Sequence, residues 1–443
     1  MSTTLDQDRG NLRGRPVYIV DGTRTPFLKT RGRPGPFRAS DLALASGRAL
    51  MTGLALSPEK LDQVILGCVS SGPDEANIAR VVSLRLGCGE QVPAWTVQRN
   101  CASGMQAVES AALQIANGRS ELVLAGGTES MSHHPVLLNE AMVAWLGAWS
   151  QARSAGARGR ALLQLRAAHF KPIIALLRGL TDPVVGLSMG QTAEELAERF
   201  AIDRTEMDAY AVRSHQRLAH AMEQGWMDEI EPLYGSDGKV YESDDGVRPD
   251  SSLEALAKLR PVFDRPVGRV TAGNSAQVTD GAAMLLLASA DAVERHDLPV
   301  LGRVVDSQWA GLDPAQMGLG PVHAMAPLIQ RHGLYSDDIG TWEINEAFAA
   351  QVLACCRAWQ SDSYCRTELG LEGAFGAIDE SRLNVDGGGV SLGHPVGASG
   401  ARITLHALEV MRREERRLGM ASLCIGGGQG GALLLERTEE MAA

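Results

Sequence analysis

Cys101 is the residue whose setting in the sequence points most directly to chemistry. It follows an extended segment, PAWTVQRN, and precedes a helix whose first turn holds Ser103 and Gly104. Backbone amides at a helix N-terminus favour negative charge, so this position predicts a lowered thiol pKa and a nucleophilic thiolate. The same amides would also hold an oxyanion. A packed, unreactive side chain is the alternative for a single cysteine, so other residues must decide.

Three further residues lie where acid and base chemistry would be possible. His394 lies in the glycine-rich turn GHPVGASG, and a neutral imidazole near the thiol would accept its proton. Cys424 ends an apolar strand before IGGGQGG, where a second thiol would exchange a proton with an acidic carbon. Asn345 begins NEAFAAQVLACC and would either cap the next helix or bind an oxygen of the reacting group. Each residue by itself also fits an ordinary structural role.

Two stretches of alternating strands and helices would position these residues. Short apolar strands alternate with amphipathic helices over residues 1–130 and again over 291–443, which predicts an α/β protein with parallel βαβ units. We expect residues of about 270–290 to complete the first half. TVQRNCASG and LNVDGGGVSLGHPVGASG each join an extended segment to a helix, so the halves resemble copies of one unit. Residues 131–270 read as an inserted region of helices and loops.

Four motifs together resemble the catalytic blocks of the thiolases, in the order of that family. They are NCASGMQA at 100–107, NEAFAAQ at 345–351, NVDGGGVSLGHPVGASGAR at 384–402 and CIGGGQGG at 424–431. Further matches extend the resemblance over almost the whole chain. It implies a thiolase-like α/β fold of two duplicated βαβαβαββ halves, layered α/β/α/β/α, with the inserted helical and loop region between them.

The resemblance implies a role for each of the residues above. Cys101 would carry the acyl group, with His394 accepting the thiol proton. Cys424 would protonate the enolate of the departing acetyl-CoA. Asn345, through a water, and His394 would form one oxyanion hole, and the amides of Cys101 and Gly426 would form the other.

Coenzyme A would be the co-substrate, with no tightly bound cofactor and no metal. The resemblance places Met189 at the pantetheine, Arg248 near the adenine and Phe348 in a catalytic block. Ala276 stands where many relatives carry a hydroxyl group that bonds pantetheine, so that contact is expected to be lost. Asp386 replaces a commoner Asn beside the histidine turn.

The composition excludes several classes of protein. The 443 residues have a formal net charge of −11 and a pI of about 5.5, which disfavours nucleic acid as a partner. Seven cysteines without a CxxC motif indicate a reducing compartment rather than a disulfide framework. No apolar run suggests a signal peptide or a membrane span, so the expectation is a cytoplasmic protein. The resemblance implies a homodimer or homotetramer.

Residues 141–180 contrast with this acidic chain. They contain no Asp or Glu but six cationic residues, and Trp145 and Trp149 are one helical turn apart. The pattern predicts a helical hairpin that is basic on one side and apolar on the other. It would either fold against its own subunit or bind a partner hydratase/dehydrogenase subunit or a membrane surface. In the second case, deletion of 145–178 would spare the cleavage of soluble substrates but abolish association with the partner or with vesicles.

The function implied is that of a 3-ketoacyl-CoA thiolase, acting in fatty acid β-oxidation on acyl-CoA substrates. An acetoacetyl-CoA thiolase working in condensation is the nearest alternative. A decarboxylating ketoacyl synthase would use one Cys and two His, and Cys424 and NEAF argue against it. A non-catalytic lipid-binding subunit would be expected to lack Cys101 or His394, which are both present.

Overall fold

A computed structural model describes residues 10–236 and 238–438. Residues 1–9 and 439–443, the outer ends of the two predicted halves, lie outside the described residues. The strands are β1 Val17–Arg24, β2 Leu28–Lys29, β3 Gln63–Gly67, β4 Ala94–Val97, β5 Leu122–Ser130, β6 Val136–Leu137, β7 Ile173–Ile174, β8 Leu233–Tyr234, β9 Val240–Tyr241, β10 Thr279–Ala288, β11 Gly302–Gly311, β12 Thr341–Ile344, β13 Leu418–Ile425 and β14 Gln429–Glu436. The helices are α1 Ala39–Gly53, α2 Ile78–Leu86, α3 Ser103–Ala116, α4 Glu140–Gln151, α5 Ala155–Leu163, α6 Ala175–Gly179, α7 Met189–Arg199, α8 Arg204–Glu223, α9 Leu253–Leu256, α10 Ala290–His296, α11 Gly320–His332, α12 Ala349–Gln360, α13 Asp362–Glu368, α14 Gly389–Leu392 and α15 Ser399–Arg413.

The long strands form one mixed sheet in the order β12-β13-β14-β11-β1-β10-β5-β3-β4. Strands β3, β4 and β5 pair in parallel, as do β12 and β13, which agrees with the predicted βαβ units. The central strands β1, β10, β11 and β14 pair antiparallel, so the parallel prediction holds only toward the two edges. The two half-sheets meet where β1 pairs with β11 over Val17–Ile19.

Three apolar clusters show how the halves are layered. One cluster packs α1 and α2 on the outer face of the first half-sheet, and another packs α11 and α12 on the outer face of the second. The third surrounds α3 and α15 and takes side chains from both half-sheets. The predicted α/β/α/β/α layering is thus confirmed, with α3 and α15 as the central layer.

Glycines allow the two central helices to touch. A Cβ built on Gly104 would lie 2.8 Å from the carbonyl oxygen of Gly397, and one on Gly400 would lie 2.5 Å from the amide of Met105. Distances below about 3 Å leave no room for a side chain, so glycine is required at both positions. This contact brings the N-terminus of α3 beside that of α15, and with it the turns that carry Cys101 and His394.

The inserted region has a base and a projecting hairpin. Strands β6 and β7 pair at its base, and Asn139 caps α4 while its side-chain amide donates to the carbonyls of Ala168, His169 and Lys171. Trp145 stacks on Trp149 with ring centroids 5.5 Å apart. The predicted hairpin is therefore built from α4 and α5. Helices α7 and α8 follow it, which agrees with the helices predicted for the inserted region.

Candidate active site

Cys101 lies in a tight turn that the next helix and the neighbouring loop hold together. Asn100 adopts a left-handed conformation with φ +43°, which asparagine tolerates better than most residues. Its side-chain amide donates to the carbonyl of Gly426 at 2.8 Å, and Ser103 Oγ accepts from the amide of Arg99 at 2.9 Å. These bonds fix the turn against the loop after β13. Asn100 was not predicted as a site residue from the sequence, although its place directly before a turn cysteine could have indicated it.

The predicted lowering of the Cys101 pKa is wrong for the free protein. Burial raises the pKa of this thiol, the nearby Glu129 carboxylate raises it further, and the amides of Gly426 and Cys101 oppose the rise. Helix α3 begins only at Ser103, so the thiol does not receive the full effect of a helix N-terminus. Desolvation outweighs the amide interactions because it penalises the thiolate directly. The thiol therefore needs a base.

His394 is a suitable base by environment. It is 8% exposed, and its Nδ1 lies 2.6 Å from Ser399 Oγ. Because the Ser399 hydroxyl donates to the carbonyl of Pro395, we assign the imidazole proton to Nδ1, which leaves Nε2 as an acceptor. Burial, with a smaller contribution from the charge of Arg402, lowers the pKa of His394 to about 4. The imidazole is neutral at pH 7.

Asn345 lies beside that imidazole and does not cap the following helix. Its Nδ2 is 3.5 Å from Nε2 of His394, and Phe348 occupies the N-cap position of α12. The backbone amide of Asn345 donates to the backbone carbonyl of Ser422, and this bond holds Asn345 at the end of β12. Its Oδ1 is buried and has no hydrogen-bond partner among the described residues. Such an acceptor suits a bound water or a polar substrate atom.

Cys424 is buried at the end of β13, in a small cluster with Met317 and Ala347. Met189 and Phe348 pack against this cluster. Burial raises the pKa of Cys424 well above its ordinary value, and the neighbouring Cys101 adds to the rise. The thiol is therefore protonated at neutral pH, as a proton donor must be.

Glu346 ties the inserted helix α8 to the turn that precedes His394. Its carboxylate accepts from Tyr210 Oη at 2.8 Å, Ser214 Oγ at 2.7 Å and the amide of Val390 at 3.1 Å. Asn384 donates to the same carboxylate at 3.1 Å. Sequence patterns could not reveal this network, because its members lie in three distant segments.

A cavity of about 260 Å³ reaches Cys101 and Gly426. Its wall is mainly apolar, and it is lined by Val69, Asn100, Cys101, Met131, His134, Leu176, Gly179, Leu180, Thr181, Asp182, Pro183, Val184, Met189, Val396, Gly426 and Gly427. Residues 176–184, which include the end of the basic segment 141–180, thus form one side of the cavity. The amide of Met189 donates to the carbonyl of Leu180 at 2.9 Å and fixes this wall. Deletion of 145–178 would remove Leu176 from this lining. The expectation that cleavage survives that deletion stays a prediction.

Arg248 and Ala276 are not among the described residues that line this cavity. The amide of Arg248 donates to Nδ1 of His215 at 3.1 Å, and the amide of Ala276 donates to the carbonyl of Ala347 at 3.0 Å. Ala276 therefore lies against the Asn345 loop, while Arg248 lies against His215 on α8. Their contacts with coenzyme A stay predictions.

Two features of the described chain bear on cofactors and membranes. Within residues 10–236 and 238–438, no group of three or more His, Cys, Asp or Glu side chains is arranged to hold a metal ion. In the same residues, none of the helices has the length and apolar character needed to cross a bilayer.

Comparison with known proteins identifies the family. The chain matches the thiolase N-terminal domain over residues 17–291 and the thiolase C-terminal domain over 298–437. A beta-ketoadipyl-CoA thiolase of Pseudomonas aeruginosa is 41% identical over 96% of this chain and 99% of that protein. A 3-ketoacyl-CoA thiolase of Yersinia pestis is 37% identical over 96% of this chain and 97% of that protein. The crystal structure of human mitochondrial 3-ketoacyl-CoA thiolase in complex with CoA gives a TM-score of 0.82 at 37% identity, covering 96% and 98% of the two chains. The resemblance seen in the sequence is confirmed, and this chain belongs to the thiolase family of acyltransferases.

Proposed function

We propose that the protein is a 3-ketoacyl-CoA thiolase that uses coenzyme A to release acetyl-CoA and a shortened acyl-CoA. The observation that carries the proposal is the neutral, buried His394 in the same site as two protonated thiols. A base, a nucleophile and a separate acid are what a carbon–carbon cleavage through an acyl-enzyme requires.

In the first step, Nε2 of His394 takes the proton of the Cys101 thiol. The thiolate attacks the C3 carbonyl carbon of the substrate, and the oxyanion would be stabilised by hydrogen bonds at this site. The C2–C3 bond then breaks, and its electron pair goes to C2 as the enolate of acetyl-CoA. Cys424 gives its proton to C2, which leaves the acyl group on Cys101 as a thioester.

In the second step, a coenzyme A thiol gives its proton to the Cys424 thiolate and attacks the Cys101 thioester. The shortened acyl-CoA departs, and the Cys101 thiolate recovers its proton from His394. The amides of Gly426 and Cys101, which already interact with the Cys101 sulfur, are placed to bind the thioester oxyanion. Met189 and Phe348 are the proposed neighbours of the pantetheine, because they pack beside Cys424.

The lining of the cavity supports an uncharged acyl chain. Val69, Met131, Leu176, Leu180 and Val396 supply apolar surface, and no Lys or Arg is among the described residues that line it. A buried carboxylate without a cationic partner costs several kcal/mol. This favours fatty acyl substrates, and a degradative role in β-oxidation, over the dicarboxylic acyl chain in the name of the Pseudomonas relative.

Beta-ketoadipyl-CoA cleavage is the second candidate, because that relative is 41% identical. The test is coenzyme A-dependent cleavage of straight-chain 3-ketoacyl-CoAs of graded length beside 3-ketoadipyl-CoA, with Cys101→Ala as control. The proposal expects kcat/KM for a neutral medium chain to exceed that for 3-ketoadipyl-CoA at least tenfold. A preference for 3-ketoadipyl-CoA would replace it with the second candidate. Decarboxylation of malonyl-CoA without any cleavage would remove both.

A further inference from the structure

The insertion carries most of the exposed apolar surface of the described chain. The described residues include nineteen exposed large apolar side chains, and eleven of these nineteen lie in residues 136–184. They include Leu163 at 78%, Val136 at 66%, Phe170 at 61% and Leu177 at 60% exposure. Scattered exposed apolar residues need no explanation, but such a concentration in one segment marks an interaction surface.

The same segment carries unneutralised positive charge. All six cationic side chains of 141–180 are exposed, and among the described residues no carboxylate lies within ion-pair distance of them; they are Arg153, Arg158, Arg160, Arg166, Lys171 and Arg178. Elsewhere in the chain, arginines as exposed as Arg31 and Arg366 have carboxylate partners. The insertion is therefore a cationic and apolar surface on a protein of net charge −11.

We infer that this surface binds an anionic lipid membrane. Anionic head groups would pair with the six cations, while exposed side chains such as Leu163 and Phe170 would enter the boundary between head groups and acyl chains. A second copy that placed the same surface against this one would bring six further cations against the first six, and like charges in contact disfavour that association. The remaining acidic surface is repelled by the same membrane, so the insertion faces the lipid.

The cavity at Cys101 would open beside the membrane if this surface binds lipid. Val184 is 82% exposed and also lines the cavity, and Leu176 lines it while Leu177 points outward. The rim of the cavity is thus continuous with the lipid-binding surface. An acyl-CoA substrate that partitions into a membrane would reach the cavity without crossing the acidic remainder of the protein.

Co-sedimentation of the full chain with vesicles tests the inference. At low salt, wild-type protein should sediment with vesicles containing phosphatidylglycerol and stay in solution with pure phosphatidylcholine. Replacement of Arg153, Arg160 and Lys171 by Gln should weaken binding roughly a hundredfold, since each cation near such a surface contributes about fivefold. The matched control replaces the exposed Arg48, Arg119 and Arg295 by Gln, removes the same charge, and should bind as the wild type does.

A second pair of variants separates the apolar contribution. Leu163→Ser with Phe170→Ser should abolish the binding that remains at high salt, with an unchanged circular dichroism spectrum and unchanged cleavage of short, soluble substrates. Wild-type protein that stays in solution with anionic vesicles, or equal weakening by the control triple variant, would overturn the inference. Membrane binding by a protein that cleaves no 3-ketoacyl-CoA would instead refute the proposed function and leave this surface standing.

Discussion

The turn before α3 and the turn before α15 come from corresponding positions in the two halves, yet they are held differently. Cys101 is half-buried at the cavity, in a turn tied down by Asn100 and Ser103. His394 lies deeper, with Ser399 on its imidazole and the Glu346 network on the preceding residues. In the proposed mechanism, substrate has to reach Cys101, whereas burial keeps the imidazole of His394 neutral. Duplication supplied one scaffold, and burial separated the two roles.

Behind the second turn lies a buried ionic cluster around His406. His406 lies between Glu229 and Asp386, at 3.1 and 3.2 Å, and Arg413 pairs with Asp386 at 2.7 Å. Burial opposes a charged imidazole, but Glu229 and Asp386 together raise the pKa of His406 to about 10. The substitution of Asp for the commoner Asn at 386 is accommodated because two cationic side chains face it.

Replacement of the base should produce the largest effect. His394→Gln should lower kcat by roughly 10²–10⁴-fold, because no other group accepts the Cys101 proton. In the wild type, the acid limb of kcat/KM should lie near pH 4, since His394 with a pKa of about 4 stays neutral down to that pH. Ser399→Ala is the matched control and should cost less, because it alters only the tautomer preference. An acid limb near pH 6.5 would show that the base is solvated.

Disruption of the ionic cluster should affect stability rather than chemistry. His406→Gln should lower the free energy of unfolding by about 1.5–3 kcal/mol, because it removes the buried cation between Glu229 and Asp386 while Arg24 and Arg413 still pair with those carboxylates. In the wild type, this contribution should be complete below pH 6.5 and decline as pH rises through about 10, since the folded pKa is raised. Urea unfolding at several pH values measures both effects. His169→Gln, in the insertion, should leave the free energy of unfolding unchanged. An equal loss of stability in both variants would show that the ionic cluster contributes nothing specific.

The contact between the central helices should give the smallest effect. Gly104→Ala should cost about 1–3 kcal/mol, because the added methyl group meets the carbonyl of Gly397. Gly159→Ala, in open space on α5, is the control and should be neutral or stabilising by about 0.5–1 kcal/mol. Thermal unfolding of both variants checks the comparison. A stable Gly104→Ala protein would mean that α3 and α15 can move apart without cost.

The alternation of apolar strands and amphipathic helices was sufficient to predict an α/β protein, because each element buries a face that its own periodicity reveals. The layered arrangement of the two halves was implied only by the resemblance to the thiolases. The alternation could not reveal that β1 and β11 join the half-sheets, since strand pairing depends on distant partners. The raised pKa of Cys101 was missed for a similar reason: desolvation is a tertiary effect, whereas the helix N-terminus is local. The sequence allowed the basic segment 141–180 to fold against its own subunit, but it could not show that residues 176–184 face the Cys101 cavity, because that contact joins distant segments.

The proposed mechanism passes through an acyl group on Cys101, and that acyl-enzyme can be trapped and located. Wild-type protein is mixed with a 3-ketoacyl-CoA in the absence of free coenzyme A, quenched in acid and digested, and the peptides are examined by mass spectrometry. The chain has seven cysteines, so the modified residue must be mapped. We expect the shortened acyl group as a thioester on Cys101, and none on the other six. Rapid cleavage with no adduct, or an adduct on Cys424 instead, would contradict the account.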